Sequence, residues 1–282
     1  MRIAAGGLLL GLIACVSSAP PPIPFHPVRF LSINDVEAAD TQPDGRGGLA
    51  RVATVRQRLD DQGPITFVLA GNVLGPGSDS NNQSARQMVD VLNQSKLDYA
   101  TFGEREFELP ADSLRARIAE SKFKWLSSNC TQPNGHPLPG VQPWDTLRIS
   151  GHKVGLFGLT LQGTYPGYVR CSNPDSAAHQ TIETLSAEGA DLIVGLTHQT
   201  TTADRELLGR ESKLDLVLGG HATAAQDSVV SSRHVVKADP NARSAQFVTL
   251  WGGKGSWSQA VGLVPIDGSI PRDTAVARAV AR

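Results

Sequence analysis

The chain has few aromatic residues, only three cysteines and no excess of charge of either sign. Lys and Arg total 26 and Asp and Glu total 27, so the formal net charge is −1. This balance offers no basic surface to neutralise phosphates, which argues against nucleic-acid binding as the main function. No apolar run reaches the roughly 18 residues that a membrane-spanning helix needs. The 40% hydrophobic and 19% charged residues are typical of a globular protein, and the 28 glycines and 18 prolines favour a loop-rich α/β chain.

The amino-terminal residues have the pattern of a targeting segment. Residues 3–16 are almost continuously apolar, which is the size of a signal-peptide core and too short to span a bilayer. Residues 12–15 (Leu-Ile-Ala-Cys) resemble a bacterial lipobox, in which residues 1–14 are removed and Cys15 is acylated. The alternative is ordinary signal cleavage near Ser18.

Residues 15–27 contain a run of prolines that predicts an extended tether. Both alternatives for cleavage place the mature protein outside the cytoplasm. It is then either lipid-anchored in the cell envelope, at a periplasmic or outer surface, or secreted.

The cysteines are consistent with an oxidising compartment. If Cys15 carries lipid, Cys130 and Cys171 remain as an even pair. A disulfide between them and two buried thiols are both open. No CxxC spacing indicates zinc or redox chemistry.

Strand-like and helix-like segments alternate through the body of the chain. The predicted strands cover residues 28–33, 65–70, 99–102, 125–129, 154–159, 192–196 and 214–218, and the predicted helices cover 48–59, 85–93, 111–120 and 177–189. This alternation predicts layered sheets with covering helices.

Polar residues follow the ends of five predicted strands. They are Asp35 with Glu37, Asn72, Glu104 with Arg105, His198, and His221 with Thr223. Ligands bind beyond the carboxyl ends of strands in α/β sheets, and carboxylate, amide and imidazole groups converging there are suited to metals. Singly, each residue has a simpler structural explanation, but the repetition predicts a functional site.

Five blocks of sequence, in this order, resemble the catalytic domain of the 5′-nucleotidase group of calcineurin-like metallophosphoesterases. Residues 34–37 (Asn-Asp-Val-Glu) are similar to the family's Asn-Asp-x-His, and residues 71–76 (Gly-Asn-Val-Leu-Gly-Pro) to its Gly-Asp block. Residues 100–108 (Ala-Thr-Phe-Gly-Glu-Arg-Glu-Phe-Glu) match Ala-Thr-Phe-Gly-Asn-His-Glu-Phe-Asp. Residues 196–198 keep Leu-Thr-His, and residues 219–223 (Gly-Gly-His-Ala-Thr) match Gly-Gly-His-x-His.

The resemblance implies a four-layer α/β/β/α sandwich with two mixed β-sheets. It places the metallophosphoesterase-like domain at residues 28–268 and the start of a linker helix at 269–282, with the family's nucleotide-recognition domain absent. In the family, two metal ions share a bridging carboxylate and hold a nucleophilic hydroxide between them.

This chain departs from the family mostly at the functional positions. The bridging carboxylate corresponds to Asn72, the two histidines of the first metal to Glu37 and Thr223, and the asparagine of the second metal to Glu104. The catalytic histidine and its aspartate partner correspond to Arg105 and Glu108. Asp35, His198 and His221 are retained.

The altered ligand set predicts one divalent metal or none. Asn72, Glu104, His198 and His221 can hold Zn²⁺, Mn²⁺ or Fe²⁺. The oxygen ligands that remain at the first position suit only a hard ion, and weakly. Arg105 can bind a phosphate, or it can pair with Glu37 or Glu104 and fill the cavity; it cannot act as a general acid.

Two functions are compatible with these substitutions. The first is a catalytically impaired envelope protein that acts as a binding or scaffold module, with a phosphate or nucleotide-like small molecule as its ligand. The second is an active single-metal phosphoesterase that hydrolyses nucleotides or other phosphate monoesters. The sequence does not identify a protein partner.

Overall fold

The computed structural model of the protein describes residues 27–75 and 83–282. The predicted signal segment, Cys15 and nearly all of the proline-rich tether therefore lie outside the described residues.

The strands are β1 (Val28–Asn34), β2 (Thr66–Ala70), β3 (Tyr99–Thr101), β4 (Lys124–Leu126), β5 (Cys130–Thr131), β6 (Val141–Gln142), β7 (Trp144–Ile149), β8 (His152–Thr160), β9 (Arg170–Cys171), β10 (Leu192–His198), β11 (Leu216–Gly219), β12 (Gln226–Val230), β13 (Arg233–Lys237), β14 (Ser244–Gly253) and β15 (Ser256–Pro265). The helices are α1 (Leu49–Asp60), α2 (Gln83–Gln94), α3 (Ala111–Glu120), α4 (Pro174–Ala187), α5 (Thr201–Arg210) and α6 (Thr274–Val280), with a 3-10 turn at Arg105–Glu108.

Two mixed sheets contain most of the strands. The first has the order β15-β14-β1-β2-β3-β4-β6, and the second has the order β12-β13-β11-β10-β8-β7. The central strands β1, β2 and β3 are parallel to one another, as are β8, β10 and β11. Strands covered on both faces read as continuous apolar runs, which is why β2 (Thr-Phe-Val-Leu-Ala) is buried throughout.

Three apolar clusters define four layers. One lies between the sheets and joins residues such as Phe30 and Val68 of the first sheet to Leu156 and Leu196 of the second. Another packs α1, α2, α3 and α6 against the outer face of the first sheet. The third packs α4 and α5 against the outer face of the second. The predicted four-layer α/β/β/α architecture is confirmed.

Several local predictions differ from the structure. The strand predicted at 125–129 ends at Leu126. The backbone N–H of Ser127 still donates to Gln142 of β6, but that of Ser128 donates to Gly158 of β8 in the second sheet, so the ladder stops there. The predictions contained no helix at Thr201–Arg210, whose inward face is carried by only a few residues such as Leu207 and Leu208. They also contained no hairpin at β14–β15, whose outer strand is largely exposed.

The described helices include none that is long and apolar enough to cross a membrane. Cys130 and Cys171 are paired residues of the short β5–β9 ladder and are joined by a disulfide. The disulfide fixes the end of the segment 161–171, which follows β8. At the start of this segment the backbone N–H of Leu161 donates to the carbonyl of His198.

Candidate metal and anion site

The five strand-end residues meet at one edge of the two sheets. Asp35 follows β1, Asn72 lies two residues beyond β2 and Glu104 three residues beyond β3, in neighbouring parallel strands of the first sheet. His198 ends β10 and His221 lies two residues beyond β11, in neighbouring parallel strands of the second sheet. Because the sheets pack face to face, these carboxyl ends form a common cleft.

Three of these residues have a left-handed backbone. Asp35 has φ 51°, Asn72 has φ 56° and His221 has φ 56°. Residues other than glycine rarely adopt this region, and such strain persists where the surrounding structure imposes it, often at functional sites. The cleft therefore has a strained backbone framework at three of its five polar positions.

Two glycines allow the strands to approach His198 closely. A Cβ on Gly71, whose φ is 71°, would collide with the imidazole of His198. A Cβ on Gly220 would collide with the carbonyl of Ala70 and would lie 2.7 Å from Nδ1 of His198. The buried ring can occupy its position only because neither residue has a side chain.

Glu104, His198 and His221 form a cluster suited to a cation. One ligand atom from each lies within 4.8 Å of the other two. Nε2 of His198 is 3.0 Å from Oε2 of Glu104, and Nδ1 of His221 is 3.6 Å from Oε1 of Glu104. Two imidazoles and a carboxylate are a common ligand set for Zn²⁺ and for Fe²⁺ or Mn²⁺.

The buried atoms of this cluster fit a single divalent cation. Nδ1 of His198 lies 2.9 Å from the carbonyl oxygen of Ala70, which directs Nε2 into the cleft. Within the described part of the chain, neither Nε2 of His198 nor Oε2 of Glu104 has a hydrogen-bond partner of acceptable geometry, despite their short separation. A shared cation would satisfy both atoms.

Electrostatics couple the two residues. Burial disfavours the carboxylate of Glu104, but His198 and the amide of Asn72 outweigh it and lower the pKa of Glu104 to about 2. Burial also disfavours imidazolium at His198, but Glu104 and Asp35 outweigh it and raise the pKa of His198. A cation bound here would compete with protonation of His198, because a metal-ligating imidazole must be neutral.

Asn72 offers N–H groups to the cleft. Its Oδ1 accepts a 3.1 Å hydrogen bond from the backbone N–H of Arg105, which sets the orientation of the amide. Its Nδ2 therefore donates to Oε1 of Glu104 at 3.1 Å and to Oδ1 of Asp35 at 3.4 Å. A neutral donor thus connects two carboxylates at the centre of the cleft.

Asp35 is held by neighbouring donors. Its Oδ2 accepts 2.8 Å and 2.9 Å hydrogen bonds from Nδ2 of Asn34 and the backbone N–H of His221. Its Oδ1 lies 3.7 Å from Nε2 of His198. These contacts fix the carboxylate at the base of the cleft.

Arg105 pairs with Glu37 at the mouth of the cleft. Nη1 of Arg105 contacts Oε1 of Glu37, whose side chain is 50% exposed, while that of Arg105 is 31% exposed. The contact with Glu37 raises the pKa of Arg105 further above its already high value. Glu108 is exposed at the end of the 3-10 turn and adds to the negative potential around Arg105. Thr223 is exposed, and no described contact brings it into the cluster.

Glu106 is a site-building residue that the sequence analysis did not single out. It is fully buried, and its Oε1 accepts hydrogen bonds from the backbone N–H groups of Val73 and Leu74. Its Oε2 accepts from the N–H groups of Gly103 and Asn72, at 2.6 Å and 3.1 Å. One carboxylate therefore joins the loop of Asn72 to the loop of Glu104. The available signal was its place within the block 100–108.

Lys237 is a second residue of this kind. Its Nζ donates to the carbonyl of Gln199 at 2.6 Å and to that of Gly220 at 2.7 Å, next to His198 and His221. The same ammonium lies 2.8 Å from Oδ2 of Asp204. Its place in the sequence carries no signal of this role, because a lysine after two valines is typical of the exposed end of a strand.

Known proteins similar to this chain are phosphoesterases. It is 26% identical over 215 residues to a snake venom 5′-nucleotidase of Naja atra, which covers 69% of this chain and 40% of that protein. It is 25% identical over 260 residues to the trifunctional nucleotide phosphoesterase protein YfkN of Bacillus subtilis, covering 78% of this chain and 17% of the relative. The chain thus spans less than half the length of these curated relatives. No protein-family model matches it.

Solved structures agree with these relatives. A calcineurin-like phosphoesterase YfkN structure from Bacillus subtilis superposes with a TM-score of 0.77 at 20% identity, covering 92% of this chain and 96% of that one. A 5′-nucleotidase precursor from Thermus thermophilus gives a TM-score of 0.78 at 20% identity, covering 90% and 58%. The metallophosphoesterase fold and the resemblance to a 5′-nucleotidase-type domain are confirmed.

Proposed function

We propose that this chain is a 5′-nucleotidase-like binding module of the cell envelope in which two-metal hydrolysis is impaired. The observation that carries the proposal is the orientation of Asn72, whose Nδ2 faces Asp35 and Glu104. An amide nitrogen with two N–H donors cannot coordinate a cation. The residue at the bridging position therefore occupies the space between the carboxylates without linking two metals.

The second metal position remains suitable for one cation. Glu104, His198 and His221 would hold it, as Zn²⁺, Mn²⁺ or Fe²⁺. A cation there would act as a Lewis acid on a phosphoryl oxygen. Rotation of the Asn72 amide would add an oxygen ligand, at the cost of its contact with the Arg105 backbone.

Arg105 favours binding over turnover. Its guanidinium can grip a phosphate through parallel N–H bonds, so an anion at the mouth of the cleft would compete with Glu37. It cannot donate a proton to a leaving group, because it stays protonated at any relevant pH. The ligand class that we propose is phosphate or a nucleotide-like small molecule.

An active single-metal phosphoesterase is the second candidate. The left-handed backbone of Asp35, Asn72 and His221 favours it, because strained positions are costly to keep without a use. The retained glycines around His198 support the same view.

The envelope location rests on the amino-terminal sequence, where Cys15 follows an apolar core and precedes a proline run. The Cys130–Cys171 disulfide supports an oxidising compartment. We infer a lipid anchor at Cys15, with secretion after ordinary cleavage as the alternative.

Elemental analysis and an activity assay test the functional proposal together. Mature protein is loaded with Zn²⁺ or Mn²⁺, and its metal content and its hydrolysis of AMP and p-nitrophenyl phosphate are measured. We expect no more than one metal per chain, lost in His198→Ala and His221→Ala, and near-background turnover. Phosphate binding by calorimetry should weaken in Arg105→Gln. Two metals per chain, or robust turnover abolished by His198→Ala, would establish a variant active enzyme instead.

A further inference from the structure

The segment 161–171 lies beside the metal cleft and is closed at its base. Nδ2 of the buried Asn129 donates to the carbonyl of Thr160 at 2.7 Å and to that of Ser172 at 3.2 Å, so the two ends of the segment lie close together. The disulfide between Cys130 and Cys171 closes the same base. Surface loops of roughly 6–16 residues with close ends are compact, and they are often functional.

The first half of this segment is tied to the strand that ends at His198. The backbone N–H of Leu161 donates to the carbonyl of His198 at 2.9 Å. The carbonyl of Leu161 in turn accepts a 2.7 Å hydrogen bond from the hydroxyl of Tyr165. Burial and the nearby negative charge of Glu104 raise the pKa of Tyr165 to about 12, so the phenol keeps the proton that it donates at neutral pH. Two hydrogen bonds therefore connect Tyr165 to the backbone of His198.

The second half of the segment packs on the 3-10 turn Arg105–Glu108. The ring of Tyr165 meets the ring of the fully buried Phe107 edge-on, with 5.2 Å between the ring centres. The hydroxyl of Tyr168 donates to the carbonyls of Phe107 and Leu109, at 3.0 Å and 2.7 Å. Carbonyls at the end of a helical turn have no partner within it, so Tyr168 caps this turn from outside.

The segment thus connects ligand positions that come from different sheets. Glu104 directly precedes the 3-10 turn and follows β3 of the first sheet, whereas His198 ends β10 of the second. The 3.0 Å separation between Oε2 of Glu104 and Nε2 of His198 depends on how the ends of these two strands are held. Groups outside the ligand shell that fix the orientation of ligands contribute strongly to metal affinity.

We propose that Tyr165 and Tyr168 are positioning residues of the cation site, and that the segment 161–171 braces the two sheets at the cleft. Neither tyrosine acts as a ligand. They act through the backbone of His198 and through the turn that follows Glu104. The inference rests on the proposed cation site and adds the residues that preserve its geometry.

Zn²⁺ affinity of the full mature chain, measured by competition with a chromophoric chelator, tests the inference. Tyr168→Phe keeps the ring and removes both hydrogen bonds to the turn. We expect affinity to fall about tenfold, the lower end of the roughly 10–100-fold loss typical of outer-shell partners. The matched control is Tyr99→Phe, which removes the 2.8 Å hydrogen bond to Asp145 at the end of β3 remote from Glu104. Both variants should lower the urea midpoint, but only Tyr168→Phe should weaken Zn²⁺ binding.

A second variant keeps the test available if Tyr168→Phe does not fold. Tyr165→Phe breaks the link to Leu161 and keeps the contact with Phe107, so it should weaken Zn²⁺ binding in the same direction. Unchanged affinity in the folded tyrosine variants, or an equal loss in Tyr99→Phe, would overturn the inference and leave the cation site standing. A parent protein that binds no Zn²⁺ would overturn the cation site itself, and the inference with it.

Discussion

Nζ of Lys237 lies 2.8 Å from Oδ2 of Asp204, and both side chains are completely buried, behind the loops that carry His198 and His221. The ammonium also donates to the carbonyls of Gln199 and Gly220. A buried charge is tolerated when it is paired and its donors are satisfied. This pair therefore links the integrity of the fold to the geometry of the two histidines.

Removing this ammonium should be severe. Lys237→Met leaves Asp204 buried and uncompensated, so the free energy of unfolding should fall by about 3–5 kcal/mol, measured by urea denaturation. Zn²⁺ affinity, measured by calorimetry under folding conditions, should fall as well. The matched control is Lys213→Met, which breaks the solvent-exposed pair with Glu183 and should change the free energy of unfolding little. Equal losses in the two variants would contradict the importance of burial.

Glu106 should be equally sensitive to its charge. In the parent protein, four backbone N–H groups donate to the Glu106 carboxylate. Glu106→Gln turns an amide NH₂ group toward some of these donors, so the free energy of unfolding should fall by about 3 kcal/mol in chemical denaturation. Glu108→Gln, an exposed change on the same turn, should alter stability by less than about 0.5 kcal/mol. If Glu106→Gln is as mild as its control, the four hydrogen bonds do not hold the loops together.

Much of the fold follows from patterns that are local in sequence. Apolar runs such as 65–70 and 192–196 predict buried strands, and the ordered blocks predict which strand ends meet. The contact between Arg105 and Glu37 is one of the alternatives that the sequence left open. Thr223 shows the limit of the resemblance, because it is exposed and no described contact brings it into the cluster. The pairing of Lys237 with Asp204 joins distant positions, and no local periodicity encodes it.

The stability of the protein should also depend on pH through Asp215. Burial raises the pKa of this carboxyl group to about 6, above its ordinary value of 3.8. A carboxyl group with a raised pKa favours the folded state below about pH 4, and this contribution is lost as the pH rises through about 6. Asp215→Asn should therefore raise the free energy of unfolding at pH 7.5 by up to about 3 kcal/mol, and by little at pH 4. Equal effects at both pH values in urea titrations would contradict this assignment.

Membrane attachment should depend on Cys15. An acylated cysteine carries more than one chain, which is enough for stable anchoring. Cys15→Ala should move the protein from the membrane to the soluble fraction, measured by fractionation and immunoblotting. Cys130→Ala serves as a cysteine control that should leave attachment intact while removing the disulfide. If Cys15→Ala partitions with membranes as the parent does, secretion or another anchor must replace lipidation.

Restoring the family's ligands should restore metal uptake and hydrolysis. The combined change Glu37→His, Asn72→Asp, Glu104→Asn, Arg105→His and Thr223→His removes the Arg105–Glu37 pair and the donor amide between the carboxylates. The glycines that admit His198 and the strained backbone of Asp35 and His221 are already in place. We therefore expect metal content to rise to two ions per chain and phosphatase turnover to appear.

Single reversions should have little effect, because groups that act as one unit are not additive. Asn72→Asp alone, for example, adds a third carboxylate beside Asp35 and Glu104 while Arg105 and Glu37 still fill the mouth of the cleft. A folded combined variant that still binds one metal and stays inactive would show that the framework itself has diverged.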